Sequence, residues 1–398
     1  MPGPLAGVRV IDCSAIVSGP FATMMLADQG ADVIKVEPPG IGDLMRIGPF
    51  RRGNLSAFYL NCNRGKRAVC IDLHKPGGRD VLLDLVRGAD VFVQNFRPGA
   101  VERLGIAEPD LRQVNPQLLY VSISGYGETG PYAKRRVYDP IIQGLTGHVA
   151  IQKHPEFPIP DLVRNVVADK ASAMWVAQAV SSALYARERG AGGQHIQLPM
   201  LDASLYFFWP DGMMGHTLQP GGEIGLPGPA LYDLYRITET ADGQLIYWAA
   251  SDAEMHALYR ALAHPEWVDD PRYGTLQGRY VPENRQALGE MIVNEFRKWN
   301  TEEILARMAT EGVPVGPVLS LDQIPDDPQI RHNGCVIERA HPAAGAMREP
   351  RQPVRYARTQ PELGPPAPMH GQHTDEVLAE AGYDAARRAS LRERGVIV

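Results

Sequence analysis

The sequence predicts an α/β fold in which a parallel β-sheet carries helices on its faces. Short apolar runs alternate with helical segments over roughly the first 200 residues, and this alternation is typical of parallel strands joined by helices. A chain of 398 residues can bury one large core or two ordinary ones. We therefore expect a Rossmann-like large domain together with a second, smaller domain.

Each element of the large domain follows from its local pattern. Short, mostly apolar runs predict strands at Val8–Ile11, Asp32–Val36, Ala68–Asp72, Asp90–Gln94 and Leu118–Ser124. Longer helical patterns predict helices at Gly19–Gly30, Gly77–Arg87, Asp169–Gly190 and within Leu198–Met213. Gly30 suits the end of its helix because glycine readily adopts the left-handed conformation found there.

The composition changes after these elements. Leu218–Pro229 holds four glycines and three prolines, which predicts a linker or a mobile loop. Strand-like pieces at Leu231–Ile237 and Gln244–Ala249 then flank Asp242 and Gly243, a hairpin signal. Helical patterns at about 252–263, 283–298 and 301–310 complete a smaller α+β unit.

The last part of the chain differs again. From about residue 328 it is rich in proline and reads as extended, and it closes with a helical pattern at Thr374–Ala381. A proline-rich segment before a final amphipathic helix suggests a stretch that crosses a surface and returns to the first domain.

Composition argues against several classes of function. The net charge of −6 gives no reason to expect nucleic acid or an anionic membrane as a partner. No apolar run approaches the ~18 residues of a membrane span. The four cysteines are scattered without metal-ligand spacing. We therefore expect no metal site, no disulfide framework and a reducing, cytoplasmic location.

Asp169 is the first candidate for chemistry. It follows the apolar residues Val166–Ala168 and opens a long alanine-rich helical segment. One interpretation is a helix N-cap, for which aspartate is among the best residues. The other is a nucleophile, because a carboxylate can attack an acyl donor and hold the acyl group as an anhydride. The residue type alone leaves both interpretations open.

Three loops near strand ends add candidate binding residues. In residues 93–106, Asn95, Phe96 and Arg103 follow a predicted strand, where ligands bind in such sheets. Residues 61–78 are rich in lysine and arginine, and residues 123–144 contain a glycine-rich loop followed by further basic residues. Each loop is also consistent with an ordinary turn or a solvated surface.

Taken together, the sequence resembles the family III (CaiB/BaiF-type) coenzyme A transferases, which include formyl-CoA transferase and alpha-methylacyl-CoA racemase. The resemblance covers nearly the whole chain. Its segments are "PLAGVRVIDCSAIVSGPFATMMLADQGADVIKVEPPGIGD", "NRGKRAVCIDL", "VFVQNFRPGAVERLG", "YVSISGYGETGPY", "YDPIIQGLTG", "VVADKASA", "EGVPVGPV" and "GQHTDEVLAEAGY". Each segment alone is only moderately specific, but their order and spacing are strongly so.

The resemblance implies a fold and an assembly. The large Rossmann-like domain would use both chain ends, the small domain would lie between them, and two chains would interlock as linked rings in a homodimer. Residues 1–217 would then form the N-terminal part of the large domain. Residues 218–327 would hold the linker and the small domain, and residues 328–398 the return linker and the C-terminal part of the large domain.

The resemblance also implies a reaction, in which coenzyme A is a substrate and no cofactor is needed. Asp169 falls on the family's nucleophilic aspartate, which forms an aspartyl anhydride and then an aspartyl-CoA thioester while CoA moves between two carboxylic acids. Tyr138 and Asp139 would contact the substrate. The implied contacts to coenzyme A are Ala15, Ile16, Val17, Ser18, Leu73, Lys75, Asn95, Phe96, Arg103, Arg136 and Met200.

The sequence departs from the family pattern at three positions. The racemases place a histidine where this chain has Tyr138, which favours transfer over racemisation. Formyl-CoA transferase has a histidine at the position of Ala15 and a basic residue at that of Pro38, and these changes weaken oxalate as a substrate. Two alternatives stay open, a racemase that uses Asp139 as a base and a CoA-binding protein without catalysis.

Overall fold

The computed structural model describes residues 3–152, 159–218 and 230–398. These residues form two compact units, one that runs to Met213 and resumes at Gly334 and one that spans Met214–Asn333. The first unit is therefore built from both ends of the chain. From residue 219 onward, the glycine-rich linker predicted at Leu218–Pro229 lies outside the described residues.

The N-terminal part of the first unit alternates strands and helices. Its strands are β1 (Arg9–Asp12), β2 (Asp32–Glu37), β3 (Arg51–Arg52), β4 (Leu55–Ser56), β5 (Lys66–Cys70), β6 (Val91–Gln94), β7 (Leu119–Ser124) and β8 (His195–Pro199). Its helices are α1 (Ser18–Ala27), α2 (Ala57–Asn63), α3 (Gly78–Arg87), α4 (Ala100–Leu104), α5 (Glu108–Val114), α6 (Asp139–Leu145), α7 (Val167–Ala186) and α8 (Met200–Gly212).

Six of these strands form one sheet in the order β5-β2-β1-β6-β7-β8, and all of its pairings are parallel. The predicted α/β class with a parallel sheet is thus confirmed. The chain builds outward from β1 through β2 to β5 and then returns to the other side of β1 at β6. This reversal places the loops after β1 and β6 side by side.

Alternation along the strands creates two cores, one on each face of the sheet. Val10 of β1 packs with Val33 and Val91 beneath α1, α7 and α8. Its neighbour Ile11 points the other way and packs with Phe92 beneath α3 and the C-terminal helices. Because both faces are covered, the central strands read as continuous apolar runs in the sequence.

Strand β8 is missing from the sequence prediction. It lies at the edge of the sheet and pairs only with β7 among the described strands, from Tyr120↔His195 to Ser124↔Pro199. Its residues are half-buried or exposed and include a histidine and a glutamine. An edge strand of this kind carries little apolar signal, so only the pairing with β7 reveals it.

The second unit contains α9 (Met214–Thr217), α10 (Leu231–Leu234), β9 (Thr238–Glu239), β10 (Gln244–Tyr247), α11 (Asp252–Ala261), α12 (Leu276–Tyr280), α13 (Pro282–Phe296), α14 (Thr301–Glu311), β11 (Val315–Pro317) and α15 (Pro328–Asn333). The strand predicted at Leu231–Ile237 is wrong. Most of that segment forms α10, and β9 begins only at Thr238, where Thr238 pairs with Leu245 and Glu239 with Gln244 of β10. The predicted turn at Asp242 and Gly243 does join β9 to β10.

The C-terminal segment returns to the first unit with more structure than its prolines suggest. It forms an antiparallel hairpin, β12 (Val336–His341) and β13 (Gly345–Pro350), followed by α16 (Thr374–Glu380) and α17 (Ala385–Glu393). The hairpin was not predicted, whereas the proline-rich stretch from residue 351 to 369 forms no helix or strand. Leu378, Tyr383 and Leu391 pack into the core beneath α3. Among the described helices, none combines the length and apolar character that a bilayer crossing requires.

Candidate functional site

The loops after β1 and β6 meet at the carboxyl edge of the sheet, where ligands bind in parallel α/β sheets. The side chain of Asn95 joins them. Its Oδ1 accepts a hydrogen bond from the backbone N–H of Ala15 at 2.9 Å, and its Nδ2 donates to the Ala15 carbonyl at 2.7 Å. The structure thus brings together two segments that the sequence analysis assigned to coenzyme A, Ala15–Ser18 and Asn95–Phe96.

Asp169 lies in the first turn of α7 and is 8% exposed. The N-cap position of this helix is Val166, and no side chain caps it. The interpretation of Asp169 as an N-cap is therefore wrong, since the helix begins before it. Its carboxylate instead lies beside Ser18, the first residue of α1, whose hydroxyl and backbone N–H both act to lower its pKa. Helices α1 and α7 pack against each other, so two helix N-termini converge near this carboxylate.

Burial and, to a smaller extent, the nearby carboxylate of Asp139 together raise the pKa of Asp169 to about 7. The hydroxyl and backbone N–H of Ser18 lower this pKa, because donor groups beside a carboxylate stabilise its ionised form. The outcome is a carboxyl group that titrates near neutral pH. Such a group is often found where a side chain takes part in chemistry.

Asp139 is buried and is hydrogen-bonded to the first turn of α7. One oxygen, Oδ2, accepts the backbone N–H of Asp169 at 2.9 Å, and the other accepts from Gln143 Nε2 at 2.5 Å. Gln143 in turn donates to the Asn165 carbonyl at 3.1 Å and accepts from the Val163 N–H at 3.0 Å. This chain of hydrogen bonds ties α6 to the segment that leads into Asp169.

The other predicted contact residues differ in exposure. Lys75, Arg103 and Arg136 are exposed, which leaves their cationic groups free to meet a solvent-borne ligand. Tyr138 is also exposed, at 61%. Met200 is 7% exposed and packs in the core beneath α7 and α8.

Leu73 and Phe96 are partly buried against the core beneath α3. Val17 is buried at the start of α1. The structure therefore gathers Ala15–Ser18, Asn95 and Asp169 around the ends of β1 and β6, and Asp139 supports Asp169 from behind.

A cluster of buried charges beneath this site is missing from the sequence analysis. Lys66 Nζ lies 2.9 Å from Asp12 Oδ2, Lys35 Nζ lies 2.9 Å from Asp43 Oδ2, and all four side chains are essentially buried. In the sequence, this cluster was signalled by one lysine in each of the strands β2 and β5, which are otherwise expected to be buried. Charged residues are seldom buried unless they are paired.

Comparisons with known proteins point to one family. The family model described as CoA-transferase family III matches residues 5–374. Succinate–glutarate CoA-transferase of Agrobacterium fabrum is 35% identical over 386 residues, which cover 95% of each chain. The chain belongs to the family III CoA-transferases.

Other members of family III CoA-transferases extend the comparison. Formyl-CoA:oxalate CoA-transferase of Escherichia coli is 30% identical over 424 aligned positions that cover 100% of both chains. The crystal structure of a CaiB/BaiF family protein from Brucella suis matches with a TM-score of 0.82 and 31% identity, and it covers 96% of this chain and 100% of that one. The resemblance seen in the sequence is thereby confirmed, as is the classification of the protein as an enzyme.

Proposed function

We propose that this family III CoA-transferase moves coenzyme A from an acyl-CoA donor to a carboxylic acid, with Asp169 as the nucleophile. The observation that carries the proposal is the setting of Asp169, a nearly buried carboxylate that Ser18 holds and whose pKa is raised to about 7. A raised pKa increases the nucleophilicity of a carboxylate, and at neutral pH about half of it is still ionised.

The proposed reaction proceeds in balanced steps. A carboxylate oxygen of Asp169 attacks the thioester carbonyl, the C–S bond breaks, and CoA leaves as a thiolate from an aspartyl–acyl anhydride. The thiolate then attacks the aspartyl carbonyl, which releases the donor acid and leaves an aspartyl-CoA thioester. The acceptor carboxylate repeats these two steps in reverse and regenerates the Asp169 carboxylate. Coenzyme A is therefore a substrate, and the scheme needs no resident cofactor.

The coenzyme would bind along the carboxyl edge of the sheet. The loop Ala15–Ser18 lies beside Asp169 at Ser18 and is bonded to Asn95 at Ala15. The exposed cations of Lys75, Arg103 and Arg136 suit phosphate groups. The relatives are named for succinate and glutarate or for formyl-CoA and oxalate. We therefore propose short carboxylic acids as the first donor and acceptor pairs to test.

A racemase reaction has less support than transfer. Its base would have to replace the histidine that the family's racemases carry at the position of Tyr138, and Asp139 is the obvious candidate. Both carboxylate oxygens of Asp139 are engaged, one by Gln143 and one by the N–H of Asp169. Deuterium wash-in at the α-carbon of an acyl-CoA, measured without an acceptor acid, would favour the racemase.

The covalent intermediate provides the direct test of the proposal. A donor–acceptor panel read by chromatography of CoA esters first identifies a donor that turns over. We then expect this donor alone, without acceptor, to leave a CoA adduct on the peptide that contains Asp169, seen by mass spectrometry. Hydroxylamine should cleave the thioester and leave a hydroxamate there. A donor that turns over but labels another residue would contradict the assignment, and binding of CoA without any turnover would indicate a non-catalytic protein.

We also propose that the protein is a cytoplasmic homodimer, interlocked as the family resemblance implies. Large apolar side chains that are at least 42% exposed lie on three helices that pack together, α6, α7 and α8. They are Ile141, Leu145, Met174, Tyr185, Tyr206, Phe207 and Trp209. Exposed apolar surface of this kind is typical of interfaces. Native mass spectrometry should give twice the 43.7 kDa chain mass, and a monomer at micromolar concentration would contradict the proposal.

A further inference from the structure

The turn between β1 and α1 holds an unusual backbone conformation. Ile16 has a φ of 73°, in the left-handed region. For a β-branched side chain this conformation is strained, because Cβ approaches the neighbouring carbonyl oxygen. Strain of this kind persists only where the surroundings over-determine the backbone, and it is common at functional sites.

Side chains from three other segments hold this turn. Asp43 Oδ1 accepts the backbone N–H of Ile16 at 3.2 Å. Lys35 Nζ, which is paired with Asp43, donates to the Ser14 carbonyl at 2.9 Å. With the two bonds between Asn95 and Ala15, the backbone polar groups from the Ser14 carbonyl to the Ile16 N–H all have side-chain partners.

The strained turn determines where the next residues lie. Val17 and Ser18 follow Ile16 directly, and Ser18 supplies the hydroxyl and the N–H that meet the Asp169 carboxylate. A relaxed Ile16 with negative φ would redirect the chain at this point and carry Ser18 away from α7. The hydrogen bonds at Ala15 and Ile16 therefore control a contact that lies two or three residues further along.

We propose that Asn95 and Asp43 are positioning residues for CoA transfer, because they hold Ile16 in its left-handed conformation and thereby keep Ser18 against the Asp169 carboxylate. The inference rests on the proposed function through the role of Asp169. The Asn95 amide was assigned to coenzyme A from the sequence, yet both of its polar atoms are bonded to Ala15. These two bonds give Asn95 a role in holding the loop.

Asn95→Ala provides the test, because Asn95 is only half-buried, whereas Asp43 is buried against Lys35 and its loss would endanger folding. We expect kcat to fall about 10- to 100-fold, because small misplacements of reacting groups reduce rates by factors of this order. The acid limb of the kcat profile should move to higher pH, since the contacts from Ser18 that favour the ionised Asp169 are weakened.

A second substitution distinguishes relief of the backbone strain at Ile16 from a general loss of rigidity in the loop. Glycine adopts positive φ without penalty, so Ile16→Gly in the Asn95→Ala background should recover several-fold of the lost kcat. The matched control is Asn115→Ala. Asn115 also donates from its side chain to two backbone carbonyls, those of Val86 and Ala89. It precedes β7 and therefore lies at the amino ends of the strands, whereas the site lies at their carboxyl ends. Its loss should leave the pH profile unchanged.

A measurement that needs no turnover tests whether Asn95 holds the turn. Hydrogen exchange of the peptide that covers residues 14–18 should accelerate in Asn95→Ala and not in Asn115→Ala. Unchanged exchange in that peptide, or a reduced kcat with neither a moved acid limb nor recovery by Ile16→Gly, would overturn the proposal. If no donor turns over in the wild-type protein, the proposed function fails, while the exchange experiment still decides whether Asn95 holds the turn.

Discussion

Asparagine in place of Asp169 should abolish CoA transfer and, at the same time, stabilise the fold at pH 8. We expect kcat to fall by at least about 1,000-fold, because the amide has no ionised oxygen to attack a thioester. In the wild-type enzyme, kcat should rise with pH through about 7, the pKa of Asp169, since only the ionised carboxylate attacks. Steady-state kinetics between pH 5 and pH 9 measure both effects.

The gain in stability follows from the direction of the pKa change. The pKa of Asp169 in the fold, about 7, lies above its ordinary value of 3.8. Between these values the folded state binds more protons than the unfolded chain, so the free energy of unfolding decreases as pH rises from 4 to 7. An asparagine avoids this cost, which is at most about 4 kcal/mol at 1.36 kcal/mol for each pH unit.

Thermal unfolding at two pH values distinguishes this mechanism from a general effect. Asp169→Asn should unfold at a higher temperature than the wild type at pH 8, and the difference should shrink towards pH 4. The matched control is Asp202→Asn, which removes an exposed carboxylate from the first turn of α8. It should leave activity unchanged. An equal stability difference at both pH values would contradict the assigned pKa, and an active Asp169→Asn or Asp169→Ala enzyme would contradict the proposed nucleophile.

The second large effect is expected at the buried charges beneath the site. Asp12 is fully buried and accepts from Lys66 Nζ at 2.9 Å, from Thr23 Oγ1 at 2.7 Å and from the Ser14 N–H at 3.0 Å. Burial alone would raise the pKa of Asp12, but Lys66 and Lys35, together with the hydrogen bonds from Ser14 and Thr23, hold this pKa well below its ordinary range. Asp12→Ala should therefore lower the free energy of unfolding by about 3–5 kcal/mol, the usual cost of leaving a buried charge without its partner.

The cost of Asp12→Ala should depend on pH through Lys66. Burial lowers the pKa of Lys66 to about 8, even though Asp12 favours its cation. Without Asp12 this pKa falls further, so Lys66 loses its proton in the fold at a lower pH than in the wild type. The folded state then binds fewer protons than the unfolded chain, and the stability deficit of Asp12→Ala should shrink as pH rises.

Chemical denaturation at pH 7 and pH 9 measures this deficit. Adding Lys66→Met to Asp12→Ala should restore much of the stability, because replacing both partners of a buried pair by apolar groups is often neutral. The control is Asp32→Ala on the neighbouring strand, whose ion pairs with Arg9 and Arg67 are partly exposed and should cost only about 0–1 kcal/mol. A deficit in Asp12→Ala no larger than that of Asp32→Ala would contradict the expected energetics.

Local pattern was sufficient for much of this protein. The short apolar runs of β1, β2, β6 and β7 and the longer helical segments of α1, α3 and α7 appear within a few consecutive residues. These patterns predicted the α/β class and the parallel sheet. The order of motifs predicted the family. The same local reasoning placed Asp169 at the start of a helix and Asn95 just after a strand.

Local pattern failed where an element or a contact depends on a distant partner. Strand β8 and the hairpin of β12 and β13 carry weak apolar signals, and they exist because another strand pairs with them. The two hydrogen bonds that join the Asn95 side chain to Ala15, 80 residues earlier, likewise had no signal in the sequence. The Asp12–Lys66 pair spans 54 residues, and neither residue signals the other in the sequence.

From the sequence alone came the class of fold, the family and the identity of a carboxylate suited to acyl chemistry. The tertiary structure alone decided what surrounds that carboxylate: Ser18, Asp139, and a strained turn at Ile16 that three side chains hold in place. The physical reason is that backbone periodicity is encoded between near neighbours, whereas electrostatics and hydrogen bonding act between whichever groups the strand order brings within a few ångströms.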